Sequence, residues 1–472
     1  MIPALSYDDV LLIPRRSGVK SRKDVNLTTK LTKNIKINNP IVAANMDTVC
    51  GSKMAIAMAK LGCVGVIHRF NTVQEQVEEV RKVKRYRNAI IEDPLKMGPE
   101  LTLKEAKKIM DKHGISSTLI VDQYNELIGI LTSRDIRFRP SDDVLISELM
   151  TPREKLITAT PLITAPEAKD LLMENRIEKL PLVNEDWTLA GLITGKDLHK
   201  RTLYPNDSLD RKNRLLVGAA IGVKSDSIDR AEELIDAGVD FLVIDIAHGH
   251  SDIVIDTIFK LKEKWPDTDI IAGNVCTPEG TRDLIKAGAD AIKIGVGPGA
   301  NCSTRIVTGS GYPQVSAIIE CSKIAEEYNI PIIADGGVKN SGDMMKAISA
   351  GTDTIMIGSL ISGTRETPGN VIVKDGHKYK LYRGMASKSA KDSKDNKDKK
   401  KQDDEYVPEG VESIIPYRGT VKEIIIQLLG GVKSGMSYCG AHTISEAKGL
   451  RNFVKITAAG MKESIPHNQY KQ

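Results

Sequence analysis

The chain has 472 residues, 41% hydrophobic and 27% charged, enough for two or three domains at a prior of roughly 150 residues each. Its net charge is only +5, much of the local excess lying in the lysine run Lys388 to Lys401, and 4% of residues are aromatic; this speaks against a nucleic-acid partner, which would need a basic face or stacking surface. Six cysteines form no C-x-x-C pair, and the N-terminal MIPALSYDDVLLIP has no basic start and no apolar segment, so the expectation is a reduced, cytoplasmic protein with neither disulfide scaffold nor membrane anchor.

Taken in order, Pro40–Asn45 and Val64–His68 read as buried strands. Six more follow: Leu215–Gly222, Phe241–Ala247, Ile270–Val275, Ala291–Val296, Pro331–Gly337 and Thr354–Ser359. Helical stretches such as Ser227–Ala237, Ile253–Lys264, Thr281–Ala287 and Gly342–Ala350 alternate with them. Strands alternating with helices of this length predict parallel βαβ units, and eight of them suit a closed (β/α)8 TIM barrel better than an open sheet. Most strands end in small or polar residues, as in Asn45-Met46-Asp47, Asp245-Ile246-Ala247-His248 and Asp335-Gly336-Gly337. The C-terminal ends of barrel strands are where such chemistry belongs.

Residues 94–201 interrupt this alternation with an internal repeat of period 62: Ala106 matches Ala168, Gly129 matches Gly191, Thr132 matches Thr194 and Asp135 matches Asp197. Each copy reads helix, strand, strand and a helix opened by Thr-x-x-Asp. The pair resembles tandem CBS motifs (a Bateman domain), which implies a regulatory purine nucleotide held by Thr132, Asp135, Thr194 and Asp197. A helix start favours phosphate on physical grounds too; the same threonines also serve as plain N-caps. The barrel is thus expected to comprise residues 1–93 and 202–472.

The stretch with the most chemistry is KIGVGPGANCSTRIVTGSGYPQ, 293–314. Gly297-Pro298-Gly299 breaks the strand and Cys302 follows, with Thr304 and Arg305 beside it. An exposed thiol there suits a nucleophile, and Arg305 is expected to favour the thiolate. A buried, inert cysteine is the other reading. Backbone N–H groups of Gly336-Gly337 and Gly358-Ser359 suit a phosphate, and Asp335 suits a ribose diol or, alternatively, a helix cap. Asp245 and Asn274 are expected to close the opposite side. Ser387–Tyr406, almost all charged or small, is expected to lack structure of its own and to act as a mobile flap at residues 387–406, a plain solvated surface loop being the other reading.

Through ANMDTV (44–49), DIAHGHS (245–251), AGNV (272–275), GPGANCSTR (297–305), ADGG (334–337), IGS (357–359) and YRGM (382–385), the chain resembles the IMP dehydrogenase/GMP reductase family. The resemblance implies catalysis at C2 of a purine nucleotide by Cys302 through a covalent adduct, with Thr304 and Glu409 as a proton relay. It implies a substrate site of Met46, Asn274, Asp335, Gly337, Gly358, Ser359, Tyr382, Gly384 and Met385, and a nicotinamide side at Asp245, Ala247 and His248. It also implies a potassium ion on the carbonyls of Gly297, Gly299 and Cys302, and a homotetramer, with pairing into octamers left open. Ala300 stands where the family usually has serine.

Dehydrogenases of this family use NAD and activate water with an Arg-Tyr pair on the flap, whereas residues 387–406 contain no arginine. A GMP reductase, using NADPH, needs no such pair and is the favoured expectation; IMP dehydrogenase is the alternative and a non-catalytic purine sensor the third reading. A positioned acid–base group is worth ~10²–10⁴ in rate, which is why the missing arginine outweighs dehydrogenase-like stretches such as KITAAGMKES (455–464).

Overall fold

A computed structural model describes residues 3–86, 90–91, 94–137, 141–195, 198, 206–397 and 407–466. Eight parallel strands close into a barrel: β1 (Ile41–Ala43), β2 (Val64–Ile67), β3 (Val217–Ile221), β4 (Phe241–Ile244), β5 (Asp269–Val275), β6 (Ala291–Ile294), β7 (Ile332–Asp335) and β8 (Thr354–Ile357). Each pairs with the next, and β8 pairs with β1. Period-two alternation sorts their side chains. Val42, Val66, Ala220, Val243, Ile271 and Ile333 fill the interior, which Leu31 and Ile37 share. Ile41, Ala219, Ile292, Ile294 and Ile332 belong to the larger cluster formed with the helices. Gly218 on β3 yields its inward space to the ring of Phe241.

The surrounding helices are α1 (Ser52–Lys60), α2 (Val73–Tyr86), α3 (Ser227–Asp236), α4 (Asp252–Lys264), α5 (Pro278–Lys286), α6 (Gln314–Glu327), α7 (Ser341–Ala350) and α8 (Val421–Cys439). α5 begins a turn earlier than the periodicity predicts. Pro278 occupies its first turn, and Thr277 Oγ1 accepts the Gly280 N–H at 3.2 Å. Asn340 caps α7, so Asp335 is not a helix cap and is left for other work.

The chain divides into two compact units, residues 1–86 with 206–472, and residues 87–205. The second unit therefore begins and ends several residues outside the span 94–201. Within it, helix Leu103–His113 precedes strands Ser117–Val121 and Leu127–Thr132, and helix Ala165–Glu174 precedes strands Lys179–Val183 and Leu189–Thr194. Both helices open on a capping box, Thr102 with Glu105 and Thr164 with Glu167. Leu119, Leu127 and Ile130 of one copy pack with Val183 and Leu192 of the other.

Ile372–Lys374, His377–Arg383 and Glu412–Pro416 form an antiparallel sheet in the first unit. Between the last two strands the expected structureless stretch opens instead as a helix, Lys388–Lys397; residues 398–406 lie outside the described ones. The helix has a foothold that composition conceals. Ala390 is fully buried, its N–H donates to Ser387 Oγ at 3.3 Å, and Ser389 hydrogen-bonds Glu412. Among the described residues no helix is long and apolar enough to cross a membrane.

Candidate active site

At the C-terminal end of the barrel the inward positions turn polar. Lys293 on β6, Asp335 on β7 and Asn274 on β5 occupy the layer above the apolar interior. Lys293 Nζ pairs with Asp335 Oδ2 at 2.8 Å, their side chains 4% and 24% exposed, and also donates to Asn274 Oδ1. Asn274 Nδ2 donates to Asp335 Oδ2 at 3.0 Å and to the Gly295 carbonyl at 2.7 Å. Asn274 thus stands beside Asp335, correcting the expectation that it closes the opposite side. Asp245 does lie elsewhere, paired with Arg69 at 2.8 Å.

The loop after β6 carries Cys302, which is exposed; the buried, inert reading does not hold. Two segments beside the flap clamp this loop. Ser303 N–H donates to the Glu409 carbonyl at 2.9 Å, Val411 N–H to Asn301 at 3.1 Å, and Glu409 N–H to Ala386 at 3.1 Å. These backbone bonds bring Glu409 to a residue 105 positions away: Thr304 Oγ1 donates to Glu409 Oε2 at 2.7 Å. Cys302 Sγ in turn lies 3.2 Å from Thr304 Oγ1. Thiol, hydroxyl and carboxylate thus form one continuous chain of contacts.

Arg305, expected to favour the Cys302 thiolate, is held by the far side of its own loop. Its guanidinium donates to the Tyr312 carbonyl at 2.6 Å, and its charge is felt at Cys276, whose thiol burial pushes up more than Arg305 draws it down. Arg383 is tied to Asp47 through both Nε and Nη2. That pair anchors the YRGM segment on the loop after β1, and Met385 Sδ accepts the Asp47 N–H at 3.3 Å.

Two cavities share this face. One, of about 330 Å³, is lined by Met46, Ala300, Asp335, Gly336, Gly337, Gly358, Ser359 and Tyr382. Gly336 and Gly337 adopt φ of +91° and +82°, turning the chain where a side chain would be strained. Burial, the charge of Asp335 next, pushes the Tyr382 phenol up to about 12 despite its hydrogen bond with Ser359, so it stays a protonated donor. The second cavity, about 570 Å³, runs from Cys302, Thr304 and Glu409 past Asn274, Gly384 and Met385 to Asp245, Ala247, Arg69 and Lys224. Met46, Asp335 and Tyr382 border both.

Of the predicted residues, His248 lines neither cavity. Gly297 and Gly299 line the second, where the Gly299 carbonyl already accepts the Cys302 N–H at 3.1 Å. In the second unit Thr132 and Asp135 pair with each other, Thr132 Oγ1 lying 2.7 Å from Asp135 Oδ2. Thr194 is buried and Asp197 lies outside the described residues. Sequence reasoning missed Lys293, Arg69 and Lys224. A lysine inside the apolar run AIKIGV was the available signal for the first; nothing in the sequence singled out the other two.

A family profile described as IMP dehydrogenase / GMP reductase domain matches residues 4–467. The inosine-5'-monophosphate dehydrogenase of Nitrosopumilus maritimus is 49% identical over 469 residues, covering 98% of both chains. The GMP reductase of Leishmania donovani is 47% identical over 476 residues, covering 98% of this chain and 96% of that one. Among solved structures, a cysteine-to-alanine variant of GMP reductase from Trypanosoma brucei in complex with guanosine 5'-monophosphate superposes with a TM-score of 0.92 at 44% identity, covering 100% of this chain and 99% of the other.

Proposed function

The chain belongs to the IMP dehydrogenase / GMP reductase family of purine-nucleotide oxidoreductases, and on that premise we propose that it is a GMP reductase, converting GMP and NADPH to IMP, ammonia and NADP. The observation that carries this reading is that residues 387–406 contain no arginine, while the Cys302–Thr304–Glu409 contacts beside them supply the proton relay that either reaction needs. Among the described residues the arginines around the site have other work: Arg69 pairs with Asp245, Arg305 bonds Tyr312, Arg383 holds Asp47 and Arg418 donates to the Ser359 carbonyl. Hydrolysis of an adduct needs a positioned base for water, and reduction does not.

In this reading the mononucleotide occupies the 330 Å³ cavity, its phosphate on Gly337, Gly358, Ser359 and Tyr382 and its ribose on Asp335, which Lys293 and Asn274 hold in place. Met46, Gly384 and Met385 sandwich the base. Cys302 passes its proton along Thr304 to Glu409 as Sγ bonds to C2, and the exocyclic amine takes that proton back by the same route and leaves as ammonia. Asp245 and Ala247, with Arg69 and Lys224 on the lining, would hold a reduced nicotinamide, which would supply the hydride that replaces sulfur at C2; the Cys302 thiolate so released regains its proton from solvent. The second cavity, about 570 Å³ and lined from Cys302 to Asp245, is the proposed seat of the dinucleotide. The carbonyls of Gly297, Gly299 and Cys302 are the proposed seat of a potassium ion; each carbonyl keeps a lone pair after one hydrogen bond. A regulatory purine nucleotide at Thr132, Asp135, Thr194 and Asp197, a homotetrameric state and a cytoplasmic location complete the reading.

The second reading, oxidation of IMP by NAD to XMP, is favoured by relatives such as the Nitrosopumilus protein, and the Thr304–Glu409 pair would serve it too. Nicotinamide absorbance decides. Loss with GMP and NADPH is the expected result, gain with IMP and NAD would establish the dehydrogenase, and silence in both would leave a purine-binding protein without turnover.

A further inference from the structure

The wall of the 330 Å³ cavity includes a segment that no motif singled out, Ser6-Tyr7-Asp8. It is held from several sides: Leu5 N–H donates to Ser316 Oγ at 2.8 Å, Lys346 Nζ donates to the Tyr7 carbonyl at 2.8 Å, and Asp8 pairs with Lys339. Ser6 and Asp9 close a capping box around the short turn Tyr7–Asp9. Tyr7 is therefore fixed, and it is only 2% exposed.

Its ring lies against the backbone of Gly337, where a Cβ would stand 3.3 Å from Tyr7 Cε2. Its hydroxyl is buried and finds no hydrogen-bond partner among the described residues. A phenol normally meets a partner when buried, because an orphaned hydroxyl keeps the cost of leaving water. The nearby carboxylates do not relieve it. Asp343 Oδ2 accepts the Lys339 N–H at 3.0 Å, and Asp335 Oδ2 is taken by Lys293 and Asn274. Burial first, then the charges of Asp343 and Asp335, hold the phenol protonated, so what it lacks is an acceptor. Ala300, on the lining of the same cavity, has no hydroxyl to offer a ligand.

We propose that the Tyr7 hydroxyl donates a hydrogen bond to the phosphate of the bound mononucleotide, which makes the N-terminal segment part of the substrate site. This rests on the reading of the cavity as the mononucleotide pocket. The phosphate would sit between two phenols, Tyr7 and Tyr382, each presenting a proton to an acceptor-only group.

The test is calorimetric titration of the full-length protein and its Tyr7→Phe variant with GMP and with guanosine, alongside steady-state kinetics and thermal midpoints. Phenylalanine keeps the ring on Gly337 and removes only the hydroxyl. The proposal expects GMP binding weakened about ten- to hundredfold, guanosine binding changed less than about twofold, and kcat retained. The ligand-free variant should melt no lower than the parent, because the lost hydroxyl had no partner. Unchanged GMP affinity would overturn the proposal, as would an equal loss for GMP and guanosine or a lowered melting point with kcat and KM falling together. If the parent protein binds neither compound, the pocket reading itself fails and the proposal goes with it.

Discussion

Replacing Glu409 by glutamine isolates the proton path from the architecture that holds it. The side chains are nearly the same size, and an amide oxygen still accepts the Thr304 hydroxyl that now lies 2.7 Å from Glu409. The clamp around Cys302 runs through backbone groups of Ser303, Glu409, Asn301 and Val411, so it is untouched. What disappears is a group that can give and take a proton. One positioned acid–base group is worth ~10²–10⁴ in rate, equivalent to about 3–5 kcal/mol of barrier at 1.36 kcal/mol per decade. Glu409→Gln should lower kcat by that factor and leave the KM for the nucleotide within about threefold, since no binding contact changes. Thr304→Val, which cuts the same path at the hydroxyl 3.2 Å from Cys302 Sγ, should cost a similar factor. The double variant should be no worse than the weaker single, because two breaks in one path do not add. The assay is nicotinamide absorbance under saturating GMP. A Glu409→Gln enzyme keeping more than about a third of the parent kcat, or a double variant whose losses multiply, would refute the path; both limits lie far outside the range for an acid–base group.

Lys293→Met strips the cation from a pair whose lysine is 4% and whose Asp335 is 24% exposed; breaking a fully buried pair costs ~3–5 kcal/mol, so a loss of about 2–3 kcal/mol by denaturant titration, with KM raised at least tenfold, is expected here. Unchanged stability and KM would show that Asp335 needs no such support. An alkylating agent at neutral pH should label Cys302 first, with GMP protecting it. Burial pushes Cys321 up to about 12 and raises Cys276 as well, so both stay protonated and slow until the pH climbs; faster labelling of Cys276 at neutral pH, read by peptide mass mapping, would contradict this. Gly337→Ala meets Pro298 Cβ and Tyr7 Cε2, both at 3.3 Å, at a φ of +82°, so it should cost about 1–2 kcal/mol in stability and weaken nucleotide binding; a variant as stable as the parent would argue against the strained turn. Millimolar ATP or GTP should stabilise the protein if the second unit binds nucleotide, by ~2.7 kcal/mol at a hundred times the dissociation constant, and so raise the melting temperature; equal midpoints would count against it.

The barrel was legible because its strands are almost wholly buried and therefore mostly apolar; all eight runs fall where strands form. The thiol, the glycine turns and Asp335 were legible because their residue types have few other uses at a strand end. Partners contributed from a distance were not. Lys293 looks like one polar letter in a strand, and only closure of the barrel shows that it faces Asp335 and Asn274. Arg305 sits three positions from Cys302, but a single αR turn swings it to the Tyr312 carbonyl instead. Tyr7 stands 330 residues from Gly337 in sequence, and no local pattern announces their contact. The helix Lys388–Lys397 hid behind a composition typical of disorder; one buried alanine and a serine foothold set it in place.

Covalent chemistry at one sulfur is the centre of the account, and quenching the enzyme in mid-turnover tests it most directly. With GMP and NADPH present, acid quenching and peptide mapping should find purine nucleotide mass on the peptide that carries Cys302, and Cys302→Ala should show neither adduct nor turnover. An unmodified Cys302 in an enzyme that is turning over, or turnover surviving in the alanine variant, would contradict the account.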